Sequence, residues 1–189
     1  MILDGLPLFE LTADDKVFLE KFTNCTHLSL NECGIKSLAN FPALPNLKKL
    51  ELASNRLISS NRKDLLGPIP LLYKQLTNLY LGNNFLSDLD SLKPLGKSTA
   101  DTLERVDLSA NPVTDVHGYR DFMFDILPLL QILDGLDRSG LEDYADLVYD
   151  LDEGAASKLA KPEDALNPNW MQERELEERL IKNNKNARA

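Results

Sequence analysis

An eleven-residue pattern recurs along the chain at intervals of 22 to 29 residues. Each copy follows the form L-x-x-L-x-L-x-x-N/C-x-L, with leucine or a similar apolar residue at most of the fixed positions. The complete copies are residues 25–35, 47–57, 76–86 and 103–113, and a truncated fifth copy begins at Leu130. Because chance does not place four such copies in register, this pattern constrains the fold more than any other feature.

The fixed positions of the pattern assign side chains to the inside of a coiled chain. In the L-x-L segment the two apolar residues point the same way along a β-strand, because side chains alternate. At the next fixed position an asparagine amide can pair with backbone groups that the turning chain would otherwise bury without partners. Three copies have asparagine there, and the first has Cys33, a weaker donor that suits a terminal repeat. These asparagines are Asn55, Asn84 and Asn111.

The repeats predict an α/β fold, a right-handed leucine-rich-repeat solenoid with a concave parallel β-sheet. One repeat cannot bury its own leucines, whereas stacked repeats share a continuous core. We expect the strands to include residues 28–30, 50–52, 79–81 and 106–108.

The segments that connect the strands predict short helical or irregular structure on the convex side. Apolar residues recur every three positions over residues 38–44 and again over 89–95, a spacing typical of a 3₁₀-like turn. Residues 59–75 are longer but contain two prolines, which disfavour a long helix.

Three regions follow along the chain: an N-terminal cap over residues 1–24, the repeat domain with its C-terminal cap over 25–140, and an acidic extension with a C-terminal helix over 141–189. Both ends of a stacked repeat array need caps. We expect a short helix at each end, over residues 11–22 and 115–127.

The two cap helices have different sequence signals. Thr12 is suited to the N-cap of the first helix, and Val17, Phe18 and Phe22 are expected to cover the first coil. In the second helix, apolar residues form one stripe and Pro128 ends it. The stripe contains Val116, Tyr119, Met123, Ile126 and Leu127.

The C-terminal part of the repeat domain resembles the acidic leucine-rich nuclear phosphoprotein family. The segment YRDFMFDILPLLQILDGLD, residues 119–137, is similar to the cap of that family, and SLANFPALPNLKKLELASNRL, residues 37–57, is similar to its early repeats. The resemblance covers residues 25–140 and implies the fold and cap type. Related caps occur in the spliceosomal A-prime protein and in axonemal dynein light chains.

Two features depart from the family pattern. The family usually has one more N-terminal repeat, but residues 1–24 contain no L-x-x-L-x-L copy. The family also has a long polyacidic tail, whereas residues 137–164 are acidic without any acidic run longer than two residues.

Composition indicates a protein that works in a reducing compartment. A chain of 189 residues with 43% hydrophobic residues can bury a sizeable core. Cys25 and Cys33 both lie at core positions and are expected to be buried, reduced thiols. The N-terminus is a poor signal peptide, and no apolar segment approaches the roughly 20 residues of a membrane span. We therefore expect a nuclear or cytoplasmic protein that is not secreted.

The charge and residue types favour binding over catalysis. A net charge of −9 disfavours nucleic acid and anionic membranes and permits a basic protein partner. His27 and His117 are the only histidines and belong to no metal-spaced cluster. The sequence contains no phosphate-binding glycine loop and no nucleophile elbow. We expect a monomer without enzymatic activity, cofactor or metal.

The repeat register aligns the outward-facing strand residues into columns. Ser29, Glu51, Tyr80 and Asp107 form one column, and a third column of small residues lies beside it. A neighbouring column contains His27, Lys49, Asn78 and Arg105. These eight residues predict a partner-binding groove with Tyr80 as its anchor. The alternative is a solvated sheet whose charges serve solubility.

The C-terminal tail is a second candidate for partner contact. Residues 169–184 are expected to form a helix with a narrow apolar stripe that includes Trp170, Leu176 and Leu180. This helix could pack on the cap, bind a partner or remain in solution.

These features predict a protein-interaction module. By resemblance, it is a nuclear or nucleocytoplasmic regulator associated with histones, chromatin or a phosphatase. One alternative is a ribonucleoprotein scaffold resembling the spliceosomal A-prime protein. Another is a cytoskeletal adaptor resembling an axonemal dynein light chain.

Overall fold

The computed structural model describes residues 1–59, 64–97, 99 and 101–142. All of them belong to one compact unit. It contains three α-helices, α1 (Ala13–Leu19), α2 (Pro68–Leu72) and α3 (Tyr119–Ile126), and 3₁₀-helices at Leu89–Gly96 and Pro112–Asp115. The strands are β1 (His27–Ser29), β2 (Lys49–Glu51), β3 (Asn78–Tyr80), β4 (Arg105–Asp107), β5 (Ile132–Leu133) and β6 (Leu136–Asp137).

The six strands form one sheet in chain order. Strands β1 to β5 are parallel, and β6 pairs antiparallel with β5. The register sets Leu50 beside Leu28 on one side and Leu79 on the other, as the repeat alignment predicts. Each of the four predicted strands begins and ends one residue earlier than expected. The α/β leucine-rich-repeat fold is confirmed.

The hydrogen bonds of the three repeat asparagines confirm that they pair with buried backbone groups. The Asn84 side-chain oxygen accepts from the Leu57 amide at 3.0 Å. Its nitrogen donates to the carbonyls of Leu52 and Leu81, both at 2.9 Å. Asn55 and Asn111 make equivalent bonds to their own coil and to the preceding one. Each asparagine therefore ties its own coil to the coil before it.

The helices in the convex segments are short, as the sequence predicts. A 3₁₀-helix covers Leu89–Gly96, whereas the equivalent segment after the first repeat is irregular. In the second connection α2 contributes a helix of only five residues. The apolar residues of these segments complete the leucine core that the strands begin.

The N-terminal segment corrects the expectation that no repeat precedes residue 25. Ile2 forms a parallel bridge with Ser29, and the Leu3 and Gly5 amides donate to carbonyls of the first repeat. Residues 1–8, MILDGLPL, match the last eight positions of the repeat pattern except that Leu6 stands in place of the asparagine. A partial repeat therefore lies beside β1.

Helix α1 begins as predicted but presents a different face. Thr12 is its N-cap and forms a capping box with Asp15. Val17, Phe18 and Phe22 were expected to cover the first coil, but they are 60%, 56% and 43% exposed. That prediction is wrong, because Leu19 supplies the buried side chain of the helix.

The C-terminal cap joins a helix to a hairpin. Helix α3 begins at Tyr119, after Gly118 in a left-handed conformation, and ends before Pro128. The predicted helix over 115–127 is therefore shorter at its start, where Pro112–Asp115 forms a 3₁₀ turn instead. Asp134 and Gly135, both with positive φ, form the turn between β5 and β6.

Candidate functional site: the concave face of the sheet

The concave face consists of the strand side chains that point away from the leucine core. Their two predicted columns are confirmed by the register of the sheet. The first column is His27, Lys49, Asn78 and Arg105, and the second is Ser29, Glu51, Tyr80 and Asp107. All of these except Ser29 are partly exposed, so seven of the eight side chains face solvent in part.

Ser29 does not belong to an open surface. It is 1% exposed because the N-terminal segment runs parallel to β1 and pairs with it at this residue. Its hydroxyl donates to Asp4 Oδ1 at 2.6 Å, and the same oxygen accepts from the Asn31 amide at 2.8 Å. In the partial repeat the residue beside Ser29 is Ile2, which is 70% exposed, and Asp4 lies beside Asn31. Both positions were missed because residues 1–24 were assigned no repeat.

Glu51 lies at the centre of a polar cluster. Its carboxylate forms an ion pair with Lys49 Nζ at 2.7 Å and lies 3.3 Å from His27 Nε2. Asn31 Nδ2 lies 3.5 Å from the same carboxylate. Burial alone raises the pKa of Glu51, but the hydrogen bonds from Lys49 and its other polar neighbours outweigh burial and lower the pKa. Glu51 therefore stays ionised on this face.

Tyr80 extends the cluster to the middle of the sheet. Its ring lies beside Glu51 in the register, and the Lys49 ammonium lies 5.0 Å from the ring centroid. A cation at this distance from an aromatic face is attracted by the electrons of the ring. The sequence predicted Tyr80 as an anchor but did not show that Lys49 contacts it.

Asp107 provides a second carboxylate on the other side of Tyr80. Its Oδ1 accepts from the Ser109 amide at 2.9 Å. A Cβ at Gly82 would lie only 2.7 Å from Asp107 Oδ2, so glycine leaves room for this carboxylate. The ring is thus flanked by two acidic side chains, as the column alignment predicts.

No group of His, Cys, Asp and Glu within the described residues is arranged to hold a metal ion. None of the helices in the same part of the chain has the length and apolar character needed to cross a membrane. The predicted tail contacts, Trp170, Leu176 and Leu180, lie outside the described residues.

Comparisons with known proteins identify a matching family and related sequences. Residues 19–146 match the leucine-rich-repeat family. The chain is 39% identical over 127 residues to acidic leucine-rich nuclear phosphoprotein 32 family member A of Drosophila melanogaster, covering 67% of this chain and 46% of that protein. A related protein of Plasmodium falciparum is 32% identical over 145 residues, which cover 75% of this chain and 49% of that one.

A third relative is not named for the nuclear phosphoprotein family. A protein of Tetrahymena thermophila that is named as a histone is 36% identical over 124 residues, covering 66% of this chain and 30% of that protein. The chain thus spans less than half the length of each of these three relatives.

Among solved structures, the Drosophila melanogaster SNF/U2A′ complex contains a similar fold. Its TM-score is 0.55 at 24% identity, covering 82% of this chain and 85% of that one. The chain belongs to the leucine-rich-repeat family, with repeats similar to those of the acidic leucine-rich nuclear phosphoproteins.

Proposed function

We propose that the chain is a nuclear protein-interaction module that binds a basic protein segment on its concave face, with core histones as the partner class. The observation that carries this proposal is the placement of Tyr80 between the carboxylates of Glu51 and Asp107. An aromatic ring supplies a large contact area, and the flanking carboxylates attract cations. The face itself offers no catalytic arrangement that we would assign.

The relatives support the nuclear location and the partner class. Two of them are named for the nuclear phosphoprotein family, and a third is named as a histone. The net charge of −9 favours a basic partner and accelerates its association at low salt. Binding to a protein partner is the function that these observations support together.

The test measures binding of the two purified core-histone subcomplexes, the dimer and the tetramer, by fluorescence anisotropy at two salt concentrations. Glu51→Lys combined with Asp107→Lys should slow association, weaken its salt dependence and reduce affinity at least about tenfold. Circular dichroism melting curves must show that each variant is folded.

The matched control reverses two acidic side chains on helix α3, with Asp121→Lys combined with Asp125→Lys. Both residues are exposed and lie outside the concave face. The control changes the net charge by the same amount but leaves the concave face unchanged, so it should lose much less affinity. Equal losses in the two variants would contradict a concave site. Because charge reversal at Glu51 can disturb folding, Glu51→Gln with Asp107→Asn repeats the test without new cations.

A further inference from the structure

One side chain of the molecule already occupies the place where a partner's cation would bind. The Lys49 ammonium lies 2.7 Å from Glu51 Oε1 and 5.0 Å from the centroid of the Tyr80 ring. A carboxylate and an aromatic face both attract an ammonium. Glu51 and Tyr80 therefore form a cation cradle, and Lys49 fills it from the same chain.

We propose that Lys49 is an internal competitor, and that a basic partner binds by inserting its own lysine between Glu51 and Tyr80 while Lys49 swings into solvent. This inference rests on the proposed function of the concave face. It identifies the anchoring group of the partner as a lysine ammonium and assigns Lys49 a role in setting affinity.

The position of Lys49 makes its displacement easy. Its side chain is 38% exposed and lies two residues before Glu51 on β2. Ion pairs of partly exposed lysines contribute little to stability, since their charges are hydrated and their side chains are flexible. The flexible four-carbon stem lets the ammonium leave the cradle without any change in the backbone.

Glu51 is held much more firmly than the cation that covers it. Its side chain is 18% exposed, and its second oxygen lies 3.3 Å from His27 Nε2 and 3.5 Å from Asn31 Nδ2. When Lys49 leaves, the hydrogen bond from Asn31 Nδ2 still holds the carboxylate, and the His27 ring still lies beside it. The cradle is therefore preorganised for an incoming cation, which reduces the cost of binding.

The first test compares Lys49→Met with Lys48→Met. Lys48 is the exposed neighbour of Lys49, so both variants remove one positive charge from almost the same place. Affinity for the histone dimer or tetramer should be about three- to tenfold higher for Lys49→Met than for Lys48→Met, in keeping with the small energies of exposed ion pairs and cation–π contacts. Equal affinities, or weaker binding by Lys49→Met, would overturn the inference. Lys49→Gln provides a second variant if Lys49→Met melts early.

The second test follows Lys49 itself by NMR. In the free protein the ring current of Tyr80 should shift the Lys49 ε-methylene protons upfield, and Tyr80→Leu should abolish this shift. Saturation with histones should move the signal to the ordinary position of a solvated lysine. A Lys49 signal that keeps its upfield shift at saturation would show that the cradle is never vacated.

Different results would rule out the proposed function and the role of Lys49. If neither the wild type nor any variant binds histones, the proposed function fails. If the wild type binds and loses affinity on Glu51→Gln with Asp107→Asn, but Lys49→Met gives no gain, only the role of Lys49 is wrong.

Discussion

Single buried polar side chains decide how tightly adjacent coils are joined. Asn84 is 3% exposed and bonds to backbone groups of both its own coil and the preceding one. Asn78, on β3, lies on the concave face and is partly exposed. Its side-chain oxygen accepts from the Thr77 hydroxyl at 2.7 Å. The same residue type therefore has two different roles within one repeat.

Asn84→Ala should lower the free energy of unfolding by about 1–3 kcal/mol, because it leaves buried backbone groups without partners. Asn78→Ala should cost no more than about 0.5 kcal/mol, as expected for a surface substitution. Urea denaturation of the two variants checks this difference. Equal losses would show that the inside and outside of the coil are wrongly assigned.

Two buried tyrosines offer a second comparison at this scale. The Tyr119 hydroxyl donates to Asp134 Oδ2 at 2.9 Å. The Tyr73 hydroxyl is buried and has no hydrogen-bond partner among the described residues. Tyr119→Phe should therefore cost about 1.5–3 kcal/mol of stability, the range for a hydrogen bond to a charged group.

Tyr73→Phe should leave stability unchanged within about 0.5 kcal/mol or increase it, because a buried hydroxyl without a partner is unfavourable. Thermal denaturation of both variants gives the comparison. A loss at Tyr73 as large as that at Tyr119 would show that the Tyr73 hydroxyl has a stabilising partner.

At the scale of elements, a carboxylate in the C-terminal cap ends the pairing of β4 with β5. In the inner strands the amides of Leu30, Leu52 and Leu81 donate to backbone carbonyls of the following strand. The chain turns at Asp134, so the Leu108 amide donates to Asp134 Oδ1 instead, at 2.6 Å. The side chain thus replaces the missing backbone acceptor at the point where the pairing of β4 with β5 ends.

This carboxylate makes stability depend on pH. Burial raises the pKa of Asp134 above 3.8, its ordinary value, because the folded protein disfavours the charged form. The resulting stability is fully present below the unfolded pKa and is lost as pH rises through the folded pKa. Asp134→Asn does not titrate there and keeps an acceptor for Leu108.

We therefore expect Asp134→Asn to gain stability relative to the wild type as pH rises from 3.8, and then to keep that advantage. Urea denaturation across this range at constant ionic strength measures it. An advantage that shrinks with rising pH would contradict the assigned direction of the pKa shift.

The strands were more predictable than the side chains at their surface. The repeat pattern predicts the neighbours of Leu50 because it fixes both the inward positions and the register. It did not predict the burial of Ser29, since residues 1–8 match only part of the pattern. A helical stripe also does not specify which face packs, so the prediction for Phe18 places it on the wrong side of α1.

The contact between Lys49 and Tyr80 was unpredictable for another reason. The register places the two residues on adjacent strands, but a lysine side chain has many rotamers of similar energy. In the rotamer that the structure shows, the ammonium contacts both Glu51 and the Tyr80 ring. Sequence alone predicted eight residues for the candidate site, and the open face presents seven of them, with Ser29 as the exception. Their mutual contacts required the structure.

At the scale of the whole molecule, stacking turns single side chains into a continuous surface. Each repeat contributes one side chain to each column, and neighbouring strands are about 4.8 Å apart. The ring of Tyr80 therefore lies one strand from both Glu51 and Asp107. The proposed binding depends on this spacing, which no single repeat could provide.

The tail is the competing site at this scale. Deleting residues 165–189 should leave histone affinity within about threefold of the wild type if the concave face is the main site, since the contacts that carry most of the binding energy would then lie on the sheet. Anisotropy titrations of the deletion variant check this. Complete loss of binding would assign the partner to the tail.

The most direct test of the concave site is the affinity of Tyr80→Ala for the histone dimer and tetramer, measured by isothermal titration calorimetry beside its melting curve. We predict that binding weakens by about 2 kcal/mol or more while the melting curve remains nearly unchanged, because Tyr80 is the central contact and only partly buried. Binding equal to that of the wild type, with the tail deletion abolishing it, would contradict the account.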